Sequence, residues 1–127
     1  MKFSIEREDQ YTILAVDEEK LDSTLSPQVK SELVTLQNEG VANVILNLEK
    51  VKYIDSSGLS ALLVGNRIFT ETGSFVLCGV SEHVMKLIKI SQLDKVLDIL
   101  PTVEESVDTV FMNALKRGLE EEGGLEE

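Results

Sequence analysis

The chain has 127 residues, a length that predicts one domain, and it is 43% hydrophobic and 28% charged, which excludes a disordered protein. Twelve basic and 23 acidic residues give a formal charge of −11. This charge argues against nucleic acid and anionic membranes as main partners, because both attract positive charge. One cysteine excludes an internal disulfide and favours a reducing compartment, and no apolar run predicts a signal peptide or a membrane insertion.

Short apolar runs predict the strands of a sheet. Phe3–Glu6 alternates polar and apolar residues, which predicts a half-exposed edge strand in a hairpin with the run at 11–16. The other runs are nearly continuous in apolar residues, a pattern typical of parallel strands that are buried on both faces. These runs are Ile13–Val16, Val44–Leu48, Phe75–Cys78 and Val96–Leu100.

Helical periods lie between these runs. The first helix has Ser26 as its predicted N-cap and Pro27 in its first turn, and Gly40 stops it. Its apolar residues follow steps of four, four and three: Leu25, Val29, Leu33 and Leu36. A second helix carries Leu59, Leu62 and Leu63, and Ser81 is the predicted cap of a short third helix.

A capping-box pattern at Thr102–Glu105 opens a fourth helix, which Gly118 is predicted to close. The order of elements predicts an α/β fold with a mixed, mostly parallel sheet of about five strands and about four helices. The first strand is antiparallel in this prediction. Residues 1–117 form the predicted domain, and residues 118–127, with five acidic and no basic side chains, form an acidic and flexible tail.

The sequence lacks the usual residues of a cofactor or metal site. The phosphate-binding patterns GxxxxGK[ST] and GxGxxG are absent, and a single cysteine and a single histidine are too few for a Cys/His metal site. Cys78 is predicted to be a small buried hydrophobe, and His83 a surface or helix-start residue. We therefore expect no cofactor, no metal, no catalytic residue and no enzyme activity.

One local feature carries chemistry. Asp55, Ser56, Ser57 and Gly58 follow an apolar strand segment and precede a helix. The N-terminus of a helix favours negative charge, so a phosphorylated serine there would change the surface without unfolding the domain. Asp and Ser are also preferred N-cap residues, so a purely structural cap is an alternative interpretation.

The segment Asp55–Leu59, preceded by Val44–Leu48, resembles the signature of the STAS domain, and more narrowly that of the bacterial anti-sigma factor antagonists. The resemblance covers about residues 3–115. Further matches are Leu21-Asp22 before the first helix, Glu71–Gly73 before Phe75–Gly79, and Leu93–Val96.

This resemblance implies a cytoplasmic switch protein. Its unphosphorylated form would bind an anti-sigma factor that is also a serine kinase, and this binding would release a sigma factor. The kinase would phosphorylate Ser57 and so end the binding, and a serine phosphatase would reset it. Asp22, Asp55, Ser56 and Gly58 would belong to the partner-binding surface.

Three alternatives remain open from the sequence. In a phospho-aspartate receiver, Asp17 and Glu18 would bind a metal ion and Asp55 would be the acceptor. In a hydrolase, Ser57 would be the nucleophile and the single histidine, His83, its base. A third alternative within the resemblance is a non-enzymatic STAS subunit of a membrane lipid or anion transport complex, or of a stress-sensing complex.

Overall fold

The computed structural model describes residues 2–122, which form seven short strands and four helices. The strands are β1 (Phe3–Arg7), β2 (Thr12–Val16), β3 (Lys20–Leu21), β4 (Asn43–Asn47), β5 (Tyr53–Ile54), β6 (Ser74–Cys78) and β7 (Asp98–Leu100). The helices are α1 (Ser26–Asn38), α2 (Ser56–Phe69), α3 (Glu82–Ile90) and α4 (Val103–Glu122).

Five of the strands form one sheet in the order β1-β2-β4-β6-β7. β1 pairs with β2 in antiparallel orientation, with Ile5 opposite Leu14, and the other three pairs are parallel. The predicted fold is therefore confirmed: an α/β domain with a mixed, mostly parallel sheet and an antiparallel first strand. The predicted hairpin between the first two strands is confirmed as well.

The central strands are buried on both faces. On β4, Val44 and Leu46 lie in a larger core that α1, α2 and α3 cover, whereas Ile45 lies in a smaller core under α4. On β6, Phe75 and Val76 divide between the two cores in the same way. This double burial explains why both strands are apolar at successive positions, which is the pattern that predicted a parallel sheet.

A second, two-stranded sheet was not predicted from the sequence. β3 pairs with β5 in parallel orientation, so that Leu21 lies beside Ile54, and both side chains are buried. Two residues are too few to show a period of two along a strand, and each strand exists only because the other lies next to it. This pair positions the candidate site described below.

Two of the predicted helix caps are confirmed and one is wrong. The side chains of Ser81 and Thr102 accept hydrogen bonds from the amides of Val84 and Glu105, at 3.3 and 3.1 Å. Ser26, in contrast, is the first residue of α1 itself, and the flanking position makes no side-chain cap bond. The Ser26 hydroxyl points instead into the domain, where it is 1% exposed.

Two other element boundaries differ from the prediction. α4 continues through Gly118 to Glu122, since a glycine inside a helix weakens the helix without necessarily ending it. The strand predicted from Val96 begins only at Asp98, because Leu93–Lys95 forms a 3-10 helix that brings the chain back to the sheet. Part of the predicted tail, residues 123–127, lies outside the described residues, and the boundary after residue 117 stays a prediction.

Candidate functional site

Two acidic side chains are brought together by the pairing of β3 with β5. Leu21 and Ile54 are partners in the parallel register, so the next residue of each strand, Asp22 and Asp55, emerges at the same end of the pair. The amide of Asp55 donates to the carbonyl oxygen of Leu21 at 3.4 Å, which extends this pairing by one residue. The two carboxylates repel each other, and this repulsion offsets part of the lowering of the Asp22 pKa by its hydrogen bonds from Thr24.

Asp55 is the N-cap of α2. Its Oδ1 accepts a hydrogen bond from the amide of Gly58 at 3.0 Å and another from the hydroxyl of Ser57 at 2.6 Å. These two bonds, with that of Ser57 the larger cause, hold the pKa of Asp55 below its usual value. The amide that is capped and the hydroxyl of the predicted phosphoacceptor therefore donate to the same carboxylate oxygen. A helix cap and a phosphorylation site, the two interpretations of this motif, are compatible in the same residues.

The two serines of the motif have different environments. Ser56 is exposed, and its hydroxyl takes part in none of the hydrogen bonds of the described residues. Ser57 is half-buried, and besides Asp55 its hydroxyl oxygen contacts Oγ of Ser26 at 3.2 Å. Ser26 begins α1, so this contact joins the starts of two helices that are 31 residues apart in the chain.

Asp22 organises the turn that leads into α1. Its Oδ1 accepts from the hydroxyl of Thr24 at 2.7 Å and from the amide of Thr24 at 3.1 Å. Its backbone carbonyl accepts from the amides of Leu25 and Ser26, and also from the hydroxyl of Ser26 at 2.8 Å. The bonds from Thr24 lower the pKa of Asp22 below its usual value, so this carboxylate is charged at neutral pH.

Gly58 is the point where α2 passes closest to β3 and β5. A Cβ atom at this position would overlap the carbonyl oxygen of Leu21 and the Cγ1 atom of Ile54. Only glycine allows this approach, which brings Ser57 close to the turn that Asp22 begins.

The remaining residues singled out in the sequence share no hydrogen bond with the Ser57 hydroxyl in the described part of the chain. Cys78 is buried, as predicted, and burial raises the pKa of its thiol. His83 is exposed on α3, as predicted, and stacks on Tyr53 with a ring distance of 5.9 Å. The hydrogen bonds of the described residues give Ser57 no histidine partner, which a hydrolase of the type considered above would need.

The acid pair of a receiver is not assembled around Asp55. Asp17 accepts a hydrogen bond from Ser4 across the hairpin and lies 3.5 Å from the ammonium group of Lys50. The described chain contains no group of three or more His, Cys, Asp or Glu side chains that could hold a metal ion. Among residues 2–122, no helix has both the length and the apolar surface needed to cross a bilayer.

The chain matches the family model of the STAS domain over residues 2–106, a range that includes every residue of this site. The chain belongs to the STAS domain family. Among its relatives is the candidate anti-sigma factor antagonist BtrV of Bordetella bronchiseptica. The two are 32% identical over 100 residues, which cover 76% of this chain and 84% of BtrV.

Solved STAS domain structures share the fold. A candidate anti-sigma factor antagonist of Thermotoga maritima superposes with a TM-score of 0.80 at 24% identity, over 85% of this chain and 93% of that chain. SpoIIAA of Bacillus, solved in its phosphorylated form, superposes with a TM-score of 0.66 at 25% identity, over 85% and 98% of the two chains. The resemblance stated from the sequence is thereby confirmed at the level of family and fold.

Sequence reasoning named the two acids, the two serines and the glycine, but it assigned Ser26 only a capping role. Ser26 contacts Ser57 in the folded STAS domain because α1 and α2 begin side by side. No local pattern signals this contact, since the two residues are distant in the chain. The apolar period of α1 places Ser26 near the buried face of the helix, and a polar side chain at such a position is the one sequence feature that indicates a buried hydrogen-bond partner.

Proposed function

We propose that this STAS domain is an anti-sigma factor antagonist that works as a phosphorylation-controlled binding module. The unphosphorylated form binds an anti-sigma factor that is also a serine kinase, and a sigma factor is released. Phosphorylation of Ser57 ends this binding, and a serine phosphatase restores it. The protein contributes a surface and an acceptor hydroxyl, whereas the kinase contributes ATP and the catalytic groups.

The observation that carries this proposal is the environment of Ser57. Its hydroxyl lies at the start of α2, half-exposed, with its proton committed to Asp55 at 2.6 Å. A hydroxyl that donates to a carboxylate is polarised toward attack on an electrophilic phosphorus atom. The amides at the start of the helix favour the negative charge of the product.

The surface around Ser57 suits recognition by a protein partner. Asp22 lies beside Asp55 at the end of the β3–β5 pair, and Tyr53, two residues before Asp55 on β5, stacks on the ring of His83. Tyr53 is 45% exposed although it is aromatic, and exposed aromatic side chains are enriched in protein interfaces. We infer that Asp22, Asp55, Ser56 and Gly58 contribute to the partner surface directly or through the backbone geometry that they fix.

The relatives support the same proposal. The names of BtrV and of the staphylococcal anti-sigma-B factor antagonists state antagonism of an anti-sigma factor, and SpoIIAA has a phosphorylated form. The formal charge of −11 adds a weaker argument, because an acidic surface accelerates association with a basic patch on a partner.

The variants Ser57→Ala and Ser57→Asp test the switch. We expect Ser57→Ala to bind the kinase continuously in the presence of ATP, because it has no acceptor hydroxyl. We expect Ser57→Asp to bind about thirty- to several-thousand-fold more weakly, since one uncompensated interfacial charge costs about 2–5 kcal/mol. The kinase is first recovered from the native cells with the tagged chain, in the absence of ATP. Calorimetry then measures the affinity of the kinase for each variant.

Ser56→Ala and Ser56→Asp are the matched controls. They make the same chemical changes one residue away, on the exposed serine. Whatever their affinity for the kinase, we expect ATP to release both Ser56 variants as it releases the unchanged chain, because Ser57 is still present. Equal affinity of Ser57→Ala and Ser57→Asp for the kinase would contradict the proposal. So would phosphate found on Ser56 alone, or recovery of a membrane transporter or a stress-sensing assembly in place of a soluble ATP-binding kinase.

A further inference from the structure

The Ser57 hydroxyl is held from two sides. Asp55 Oδ1 lies 2.6 Å from it and Ser26 Oγ lies 3.2 Å from it. Ser26 in turn lies 2.8 Å from the backbone carbonyl oxygen of Asp22. Three short contacts thus connect the start of α1 with the start of α2 through two hydroxyl groups.

Counting protons fixes the direction of these bonds. A carboxylate is only an acceptor, so the single hydroxyl proton of Ser57 points to Asp55. The contact between the serines then requires the proton of Ser26, which Ser26 divides between Ser57 and the carbonyl of Asp22. That carbonyl also accepts two backbone amides, so it remains satisfied when Ser26 donates to Ser57.

This arrangement restricts the side chain of Ser57 and not that of Ser56. A serine side chain has three staggered rotamers about χ1. The contacts of the Ser57 hydroxyl with Asp55 and Ser26 favour the one rotamer in which both are made. Oγ of Ser57 then retains one lone pair without a partner in the described residues, on a side chain that is half-exposed. Ser56 is more exposed, but it has no such restraint.

Resting on the function proposed above, we propose that Ser26 is a positioning residue for the phosphoacceptor. Its hydroxyl holds the Ser57 side chain in one rotamer, with the free lone pair available for transfer. Exposure alone would favour Ser56, and preorganisation selects Ser57, because an acceptor that is already oriented loses less freedom in the transition state.

The first test needs no partner. Three-bond couplings between Hα and Hβ in the full chain report the χ1 rotamers of both serines. We expect one rotamer for Ser57 and averaging for Ser56 in the unchanged chain, and in Ser26→Ala a second rotamer of Ser57 populated beside the one that Asp55 still favours. Averaged couplings of Ser57 in the unchanged chain, or a single rotamer that persists in Ser26→Ala, would overturn the inference.

Ser106→Ala is the matched control for the loss of a buried serine. Ser106 is fully buried on α4, and its hydroxyl donates to the carbonyl oxygen of Thr102, four residues earlier, at 2.8 Å. Ser26 has the same bond to the carbonyl of Asp22, but Ser106 lies under the opposite face of the sheet. We expect Ser106→Ala to leave the couplings of Ser57 unchanged, and a change equal to that in Ser26→Ala would count against positioning by Ser26.

In the second test, the kinase that was recovered with the tagged chain is given ATP and phosphorylates each variant. The amount of phosphate on Ser56 and on Ser57 is then quantified over time. We expect Ser26→Ala to lower the rate of Ser57 labelling by about three- to tenfold, the loss expected for one hydrogen bond, and to raise the share on Ser56. If Ser26→Ala left the rate of Ser57 labelling and the ratio of phosphate on the two serines unchanged, the positioning role of Ser26 would be overturned, whereas the proposed function would stand. An unchanged chain that takes no label from ATP would overturn the proposed function and, with it, the acceptor role of Ser57.

Discussion

Asp55 shows how one side chain serves both the fold and the candidate site. Its Oδ1 caps α2 through the amide of Gly58 and also accepts the hydroxyl proton of Ser57. Phosphorylation of Ser57 would remove that proton and place a second negative group beside the carboxylate. The cap and the modification are therefore coupled through a single oxygen atom.

Ser57→Ala should raise the pKa of Asp55 toward its ordinary value, because the bond from Ser57 is the largest cause of its depression. The depressed pKa stabilises the fold at pH values above the pKa of the unfolded chain. This contribution disappears as the pH falls through the folded pKa. Through its effect on Asp55, Ser57→Ala should therefore lower the free energy of unfolding at neutral pH. This difference from the unchanged chain should vanish in acid.

Carbon-13 shifts of the Asp55 carboxyl group, followed through an acid titration, measure this change directly. Ser56→Ala should leave the titration of Asp55 where it is, because Ser56 makes no bond to that carboxylate. An Asp55 pKa that stays constant or falls in Ser57→Ala would contradict the assigned hydrogen bond.

At the level of elements, the site depends on two strands of two residues each. β3 and β5 bring Asp22 and Asp55 to the same end of a parallel pair, and α2 can start there only because Gly58 has no side chain. The apolar pattern of the sequence predicted the long elements and missed these short ones. Periodicity needs several residues, whereas a two-residue strand is formed by its partner.

Gly58→Ala should destabilise the domain by about 1–3 kcal/mol or more, because the new methyl group meets the backbone of β3 and the side chain of Ile54. Gly118→Ala is the matched control within α4. Nothing lies within 4 Å of a Cβ at Gly118, so alanine there should stabilise the protein by about 0.5–1 kcal/mol. Urea unfolding measures both, and equal effects would contradict the packing at Gly58.

Across the whole molecule, two cores on opposite faces of the sheet hold the site rigid. The larger core joins α1, α2 and α3 to the sheet, so the starts of α1 and α2 keep their relative positions. Among residues 2–120 no acidic side chain is buried, so the negative charges leave these cores undisturbed. A modification at the start of α2 can thus alter the surface while the packing below stays intact.

Leu46→Ala should destabilise the protein by about 2–5 kcal/mol, since Leu46 is 0% exposed on the central strand β4. That is a large share of the roughly 5–15 kcal/mol that stabilise a typical domain. Leu115→Ala, the same change at a side chain that is 59% exposed on α4, should change stability by less than about 0.5 kcal/mol. Similar unfolding midpoints for the two variants would contradict this core assignment.

The sequence by itself determined the fold class, the order of the long elements, the family and the motif Asp55–Gly58. These follow from patterns within a few consecutive residues: apolar periods, caps and a short signature. The resemblance implied that Asp22 and Asp55 share one surface, but only the tertiary structure decided that they leave paired strands side by side and that Ser26 reaches Ser57. Both contacts join residues more than 30 positions apart, and such contacts depend on how helices and strands pack, which local patterns do not encode.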